Sequence, residues 1–211
     1  MQWLKADMPI LSLDLSPMKG NMSTPCEAED VKLVSSLFSS QEPLLGQVVR
    51  ELQTSFGPVD WTSPTLCFDR TSYYEREMGW PLYRRFVSFR RLIRPEEIVQ
   101  VKLMCNQTEN KYSVAGKRQI NIDPGYISLE RLILTTGKNY THRIYLSKGI
   151  YADLTLVFRK GSFVSLQWTY PDYADPTVIG YFNEVRARYK TQLRGEQTGS
   201  DGPDQREAEQ G

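Results

Sequence analysis

The chain has 211 residues, with 26 basic and 25 acidic side chains, one histidine, a net charge of +1, 40% hydrophobic residues and 24% charged residues. These values are typical of a globular domain and exclude the collagen-like, disulfide-scaffold and wholly disordered classes. Three widely spaced cysteines, no signal-peptide pattern and no apolar run near the roughly 18 residues of a membrane span predict a cytoplasmic protein without membrane association.

The near-neutral total is the sum of three zones of different charge. Residues 1–30 carry two basic and five acidic groups (−3), residues 31–194 carry 23 and 15 (+8), and residues 195–211 carry one and five (−4). The last zone has no large apolar residue, so it cannot bury enough surface to offset its ordering entropy. We predict a poorly ordered extension over 1–30, with Met22 as an alternative start, a single domain over 31–194 and a disordered acidic tail over 195–211.

The first half of the domain alternates between strand-like and helix-like patterns. We predict strands over 31–38, 65–69, 82–93 and 119–123, the last one ended by a type II turn at Asp123-Pro124-Gly125. Helical spacing predicts a first helix that stops at Gly57-Pro58, a short helix over 72–78 and a longer helix that starts at Pro95. This order of elements matches a ferredoxin-like β-α-β-β-α-β unit.

The second half is predicted to extend this unit. We expect a short helix over 128–134 and an antiparallel β-meander of strands 143–146, 151–158 and 163–168, joined by turns at Lys148-Gly149 and Lys160-Gly161. A C-terminal helix is expected to begin at Asp175-Pro176, with a buried face formed by Val178, Phe182, Val185 and Tyr189. The predicted fold class is α+β.

Several common chemistries lack their motifs. The chain has no P-loop and no dinucleotide-binding glycine pattern, and Thr136-Gly137-Lys138-Asn139 is predicted to be a surface loop because it lacks the upstream glycine. One histidine and scattered cysteines cannot build a typical zinc site. The sequence therefore predicts neither a metal site nor a cofactor.

Two candidate ligand-binding groups follow predicted strands. Asp69 closes the second strand and is followed by Tyr73 and Tyr74. These residues suit a cation or a polar ligand, and the alternative is an aspartate that caps the next helix with the two tyrosines packed on the core. Asp123 and Tyr126 close the fourth strand, where the alternative is ordinary turn chemistry.

A third group surrounds the single histidine. His142 is a candidate for acid–base chemistry, with Asp153 or Asp123 as its partner, and the alternative is a structural, hydrogen-bonded histidine. Arg143 and Tyr145 alternate with it along the predicted strand and are candidates for ligand contact.

The remaining candidates are aromatic and basic. Aromatic side chains and an aspartate cluster before the last helix, where they suit either a stacking wall for a ligand or a packed linker, namely Trp168, Tyr170, Asp172 and Tyr173. Arginines at the ends of the third strand, Arg84, Arg85, Arg90, Arg91 and Arg94, suit RNA binding, although the glycine-aromatic pattern of RNA-binding sheets is absent.

These stretches resemble a bacterial family catalogued as domain of unknown function 4416. The matching strings are VKLVSSLFSS, FDRTSYYEREMGWPLYRRFVSF, INIDPGYISLERLILTT, HRIYLSKGIYADLTLVF and WTYPDY, spread over residues 31–194. The resemblance implies a small cytosolic protein and implies no catalytic residues.

Three functional hypotheses remain open at this point. The first is a binding protein for an anionic ligand, such as a nucleotide, a phosphorylated metabolite or RNA, because basic charge and aromatic segments coincide in the domain. The second is a small enzyme that uses His142 with nearby aspartate and tyrosine residues. The third is a regulatory or structural domain that binds another protein.

Overall fold

A computed structural model of the chain describes residues 24–67 and 74–195. The helices are α1 (Glu42–Phe56), α2 (Glu75–Met78), α3 (Ile98–Lys111) and α4 (Pro176–Leu193), with a 3-10 turn at Pro95–Glu97. The strands are β1 (Val31–Ser39), β2 (Val59–Thr62), β3 (Leu66–Cys67), β4 (Tyr83–Ile93), β5 (Ser113–Val114), β6 (Lys117–Arg118), β7 (Asn121–Ile127), β8 (Arg131–Thr136), β9 (Arg143–Ser147), β10 (Ile150–Arg159) and β11 (Ser162–Ser165).

The described part of the chain is an α+β fold built on one nine-stranded sheet. Its main path runs β11-β10-β8-β7-β1-β4-β2, with β3 paired to β4 and β9 paired to β10, and every described pair is antiparallel. None of the four helices in these residues combines the length and the apolar character needed to cross a membrane. The predicted N-terminal extension and acidic tail fall mostly on residues 1–23 and 196–211, which lie outside the described residues.

One face of the sheet packs against α1 and α3. The buried side chains of α1 recur at helical spacing, at Leu45, Val48, Leu52 and Phe56, and they join Leu33 and Leu37 of β1 in one core cluster. The sequence prediction of this helix and its end at Gly57 is confirmed, since Gly57 adopts the positive φ of 89° that glycine tolerates.

The opposite face packs against α4. Asp175 caps this helix by accepting a hydrogen bond from the Thr177 backbone N–H at 2.9 Å, and Pro176 occupies the first turn. The four side chains predicted to be buried are confirmed, namely Val178, Phe182, Val185 and Tyr189. The apolar period of 3.6 thus determines which face of α4 meets the sheet.

The predicted short helix over 128–134 is wrong, because residues 131–136 form strand β8. Leu132, Ile133 and Leu134 are buried, and β8 pairs with β7 on one side and β10 on the other. A short apolar run has no periodicity that separates a helix from a strand buried on both faces, so only pairing with neighbouring strands decided between them.

The predicted turn at Asp123-Pro124-Gly125 is also wrong, because these residues lie inside β7. A proline is tolerated here because β7 pairs with β8 only from Gly125 to Ile127, so no β8 backbone acceptor requires a Pro124 N–H. The Pro124 carbonyl instead accepts a hydrogen bond from the Thr135 hydroxyl at 2.8 Å.

The predicted meander is correct in its strands and turns but not in its arrangement. Lys148-Gly149 and Lys160-Gly161 form tight turns with positive φ at both residues, as two-residue hairpin turns require. The inner edge of β10 pairs with β8, however, so β9 and β11 share its outer edge, one along each half.

Candidate functional site

A cleft of about 660 Å³ opens where β7 and β8 separate. The two strands pair only from Gly125↔Leu134 to Ile127↔Leu132. Beyond this point the first half of β7 stays with β1, whereas the end of β8 stays with β10. The sheet is therefore split at one end, and the split leaves room for a ligand.

Most of the strand residues that line the cleft lie on one face of the sheet. Residues directly opposite each other in antiparallel strands share a face, and Phe38 is paired with both Asn121 and Arg84. By the same rule Leu134 shares a face with Asp153, which is paired with Arg143. This is the face that α4 and the segment 170–173 cover, so the cleft lies between the split sheet and this segment.

Helix α3 completes the open edge of β7 from the opposite face. The Ile122 N–H donates to Glu109 Oε1 at 2.5 Å, and Lys102 Nζ donates to the Ile122 carbonyl at 2.9 Å. Two side chains thereby satisfy the backbone groups that a neighbouring strand would otherwise pair. The sequence predicted this helix but did not single out Lys102 and Glu109, which are only 6% and 5% exposed.

Burial raises the pKa of Glu109 above its ordinary value of 4.5, while Lys102 and the Ile122 N–H oppose this shift. A carboxyl group whose pKa is raised in the folded state stabilises the fold below pH 4.5, where it is protonated. This stabilisation is lost as the pH rises through the raised pKa. We therefore expect the free energy of unfolding of the native chain to fall with pH above 4.5, and Glu109→Gln to flatten that slope. Urea unfolding of the native chain and of Glu109→Gln, repeated at intervals from pH 4.5 to 7.5, measures how the free energy of unfolding depends on pH. Equal slopes against pH in the two proteins would contradict the expectation.

Arg118 links the rim of the cleft at the start of β7, called here the lower rim, to α2. Its guanidinium donates to both Glu77 oxygens at 2.7 and 2.9 Å, to Asn121 Oδ1 at 2.8 Å and to Glu109 at 3.3 Å. The hydrogen bonds from Arg118 lower the pKa of Glu77. Because this arginine is occupied by protein acceptors, its principal role is to hold the rim together.

Asp123 presents a carboxylate that is oriented but not enclosed. Asn121 Nδ2 donates to its Oδ2 at 2.7 Å, and Lys102 Nζ lies 3.4 Å from its Oδ1. The Asp123 side chain remains 34% exposed. Each carboxylate oxygen can accept more than one hydrogen bond, so Asp123 keeps the capacity to accept from a ligand.

The upper rim is a chain of side chains centred on Asp153. Its Oδ2 accepts from Arg143 Nε at 2.9 Å and lies 3.3 Å from His142 Nε2. Arg143 in turn donates to the Tyr170 hydroxyl at 2.8 Å and to the Lys138 carbonyl at 3.0 Å. Asp153 thus fixes the arginine that holds both the Tyr170 ring and the loop after β8.

Aromatic rings and one buried arginine form the floor. Arg84, only 5% exposed, forms an ion pair with Asp172. Its guanidinium carbon lies 5.2 Å from the Phe38 ring centre and 5.7 Å from the Tyr173 ring centre. Burial raises the pKa of Tyr74 to about 12 and raises that of Tyr173 as well, so both phenols stay protonated at neutral pH.

Seven of the ligand-binding and acid–base candidates line this one cleft, namely Tyr74, Asp123, Arg143, Asp153, Tyr170, Asp172 and Tyr173, and Arg84 of the basic group lines it as well. Four others lie elsewhere in the described part. His142 stacks on Trp168 at 5.2 Å behind Asp153, Tyr126 packs in the core cluster of α1 and α3, and Tyr145 is exposed on β9. Asp69 and Tyr73 lie outside the described residues.

The sequence did not single out several lining residues, namely Lys102, Asn106, Glu109, Arg118 and Asn121. Lys102, Asn106 and Glu109 recur at i, i+4 and i+7, which places them on one stripe of α3. A polar stripe that borders the apolar face of a helix was the available signal. Thr136-Gly137-Lys138, predicted to be a surface loop, is exposed at Gly137 and Lys138 and also forms part of the cleft wall.

The fold and site together define an α+β protein with a charged cleft at a split sheet. The chain matches the model of a protein family described as Domain of unknown function (DUF4416) over residues 29–189, and it belongs to that family. The resemblance seen in the sequence is therefore confirmed for the family, whereas a bacterial source stays a prediction. No curated protein and no solved structure is significantly similar to the chain.

Proposed function

We propose that this protein binds a small anionic metabolite in the cleft between β7 and β8. The observation that carries the proposal is the charge of the lining: five cationic side chains, Arg84, Lys102, Arg118, Lys138 and Arg143, against four carboxylates, Glu109, Asp123, Asp153 and Asp172. A cleft between low-dielectric walls concentrates the field of such an excess. The +8 charge of residues 31–194 acts in the same direction.

The size of the cleft favours a metabolite over RNA. Small-molecule sites span roughly 300–1,000 Å³ and are lined by aromatic side chains with a few placed polar groups. The cleft, at about 660 Å³, falls in this range, and it contains Phe38, Tyr74 and Tyr173. RNA binding usually requires an open basic surface, so it becomes an alternative outcome of the binding experiment.

Acid–base catalysis by His142 stays a second prediction with one supporting contact. Its Nε2 lies 3.3 Å from Asp153 Oδ2, within reach of the carboxylate that the sequence suggested. The His142 ring lies against Trp168 rather than in the cleft wall, however. A general base must reach the proton that it removes, so this position favours a role in holding Asp153.

Binding is tested by calorimetry and thermal unfolding at low ionic strength with inorganic phosphate, nucleotides, sugar phosphates, dicarboxylates and RNA oligomers. We expect small anions to raise the melting temperature, since a ligand that binds only the native state stabilises it. Lys138→Gln should weaken binding about threefold to fivefold, as loss of an exposed charge contact does.

The matched control is Lys160→Gln, which makes the same charge change in the exposed turn between β10 and β11. We expect it to leave the affinity unchanged. Failure of every small anion to bind would refute the proposal, and a preference for RNA over all metabolites would replace it with the RNA alternative.

Two finer expectations also remain proposals. We propose a ferredoxin-like unit, supported by the order β7-β1-β4-β2 and by the packing of α1 and α3 on the same face. We propose a cytoplasmic location, supported by the unpaired thiols of Cys26, Cys67 and Cys105.

A further inference from the structure

The aromatic side chains that line the cleft differ in how far a ligand can reach them. Phe38 and Tyr173 are 1% and 4% exposed, so the protein itself covers these rings. Tyr74 is half-buried and packs against Phe38, with 4.7 Å between the ring centres. Tyr170 is 50% exposed and lines the same cleft. Among the described residues of the cleft wall, Tyr170 therefore presents the aromatic ring that is most open to a ligand.

Tyr170 is held in place although its ring is uncovered. Its hydroxyl accepts a hydrogen bond from Arg143 Nη2 at 2.8 Å, and its carbonyl accepts from the Tyr173 backbone N–H at 2.9 Å. Just before it, the Thr169 hydroxyl donates to the Thr155 carbonyl at 2.6 Å. A side chain fixed in this way has lost rotamer freedom without the gain that burial of its ring would bring. A ligand ring stacked on Tyr170 would supply that burial at little further cost in entropy.

A cation lies beside this ring. Arg143 donates through one terminal nitrogen to the Tyr170 hydroxyl at 2.8 Å and through the other to the Lys138 carbonyl at 3.0 Å. Its Nε is held by Asp153 at 2.9 Å. Tyr170 and Lys138 are therefore neighbours across one guanidinium, and Lys138 is exposed in the cleft wall. A molecule that carries both a flat ring and an anionic group can contact both residues at once.

We propose that the anionic ligand carries a planar, unsaturated ring that stacks on Tyr170, with its anionic group toward Lys138. This inference rests on the proposed function and adds the chemical class of the ligand, which includes aryl phosphates and nucleotides. Tyr170 determines specificity through the face of its ring, because its hydroxyl is bonded to Arg143. Two flat rings can stack closely, whereas a puckered, saturated ring offers no π-face to the tyrosine.

The test compares phenyl phosphate with cyclohexyl phosphate, which has the same number of ring carbons but is not flat, by calorimetry at low ionic strength. The native protein should bind phenyl phosphate about fivefold more tightly, since an aromatic pair gains more than its buried area alone provides. Tyr170→Leu should remove this difference, because leucine keeps apolar surface but has no π-face. Tyr170→Phe should keep most of it, because phenylalanine loses only the hydroxyl.

A second pair of ligands identifies the source of the ring. Adenosine monophosphate and ribose phosphate differ by the nucleobase, and loss of a stacked base typically weakens binding about tenfold or more. A gain from the nucleobase that disappears in Tyr170→Leu would support the inference and identify a nucleotide. A preference confined to phenyl phosphate would support it and identify a carbocyclic aromatic anion.

Tyr145→Leu is the matched control. Tyr145 is 57% exposed on β9 and lies outside the described cleft wall, so its loss removes a similarly exposed ring without touching the site. We expect the preference for phenyl phosphate to be unchanged in this variant. The melting temperature of ligand-free Tyr170→Leu should stay close to the native value, because an exposed side chain adds little to packing.

Equal affinities for phenyl phosphate and cyclohexyl phosphate in the native protein, with no gain from the nucleobase, would overturn the inference and leave the proposed function standing. A preference for the flat ring that survives Tyr170→Leu would also overturn it. Failure of these phosphates and of every other small anion to bind would instead refute the proposed function itself.

Discussion

Replacing Gly125 with alanine is expected to destabilise the fold by about 3 kcal/mol, because the new methyl group has no space. A Cβ at this position would lie 2.2 Å from the Ile133 carbonyl oxygen and 2.8 Å from Leu134 Cδ2. The carbonyl belongs to the β8 backbone, so the two strands must move apart at the last point where they pair. We expect a lower urea midpoint and weaker anion binding, since the cleft opens from this point.

Gly180→Ala is the matched control. Gly180 is exposed in α4 and its Cβ would meet nothing within 4 Å. Alanine is preferred to glycine inside a helix, so this variant should be neutral or slightly more stable. If Gly125→Ala unfolds at the same urea concentration as Gly180→Ala, strands β7 and β8 do not approach as closely as described.

The second large effect is expected from Lys32, which is fully buried in the centre of the sheet. Its ammonium forms an ion pair with Asp60 and donates to Gln192 Oε1 at 3.0 Å. Ser88 donates to the other Asp60 oxygen at 2.6 Å, and Gln192 donates to the Arg90 carbonyl at 2.5 Å. The cluster connects β1, β2 and β4 with the end of α4.

Lys32→Ala should cost about 3–5 kcal/mol, because it leaves the Asp60 carboxylate without its cation. Chemical denaturation followed by circular dichroism measures the loss. The double variant Lys32→Met with Asp60→Leu should recover most of it, since replacing both charges with apolar groups of similar volume is often close to neutral. Burial lowers the pKa of Lys32, which agrees with a charge that is costly to keep in this position.

Lys111→Ala provides the comparison for an exposed ion pair. Lys111 lies 2.8 Å from Glu51 and its side chain is 62% exposed. Solvent screens such a pair, so its loss should lower stability far less than the loss of Lys32. Equal losses for the two lysines would show that the Lys32 cluster does not hold α4 to the sheet.

The sequence correctly predicted the elements whose structure depends only on their own residues. The buried faces of α1 and α4 follow from apolar residues at helical spacing, and Asp175-Pro176 marks the start of α4. The turns at Lys148-Gly149 and Lys160-Gly161 follow from the backbone conformations that a two-residue hairpin needs. Each of these features is local, so a few neighbouring residues are sufficient to determine it.

Predictions failed where the outcome depended on a distant strand. Pro124 and Gly125 have the composition of a turn, but pairing with β1 keeps them extended, and Gly125 is needed because β8 passes close by. Leu132 to Leu134 could not be assigned by period, because both faces of β8 are covered. Strand β2 was missed for a different reason, because its four residues are too few to show a periodic pattern.

The residues of the candidate site also divide into those that the sequence identified and those that it missed. Aspartates and tyrosines at strand ends and before α4 were found because polar and aromatic residues stand out beside apolar runs, and six of them line the cleft. Lys102 and Glu109 were missed because a lysine and a glutamate on a helix usually face solvent. They are buried here because β7 has an open edge at Ile122 that needs a donor and an acceptor.

By itself the sequence determined the α+β class, the helix faces, the hairpin turns and a domain with an excess of basic charge between two acidic ends. Only the tertiary structure decided that residues 121–124 of β7 separate from β8, that α3 supplies side chains to the edge left open, and that Asp123, Asp153 and Asp172 meet in one cleft. The physical reason is that helices and turns satisfy their hydrogen bonds within a few residues, whereas a strand depends on partners far away in the chain. A cleft made by two separating strands is therefore a property of the whole sheet.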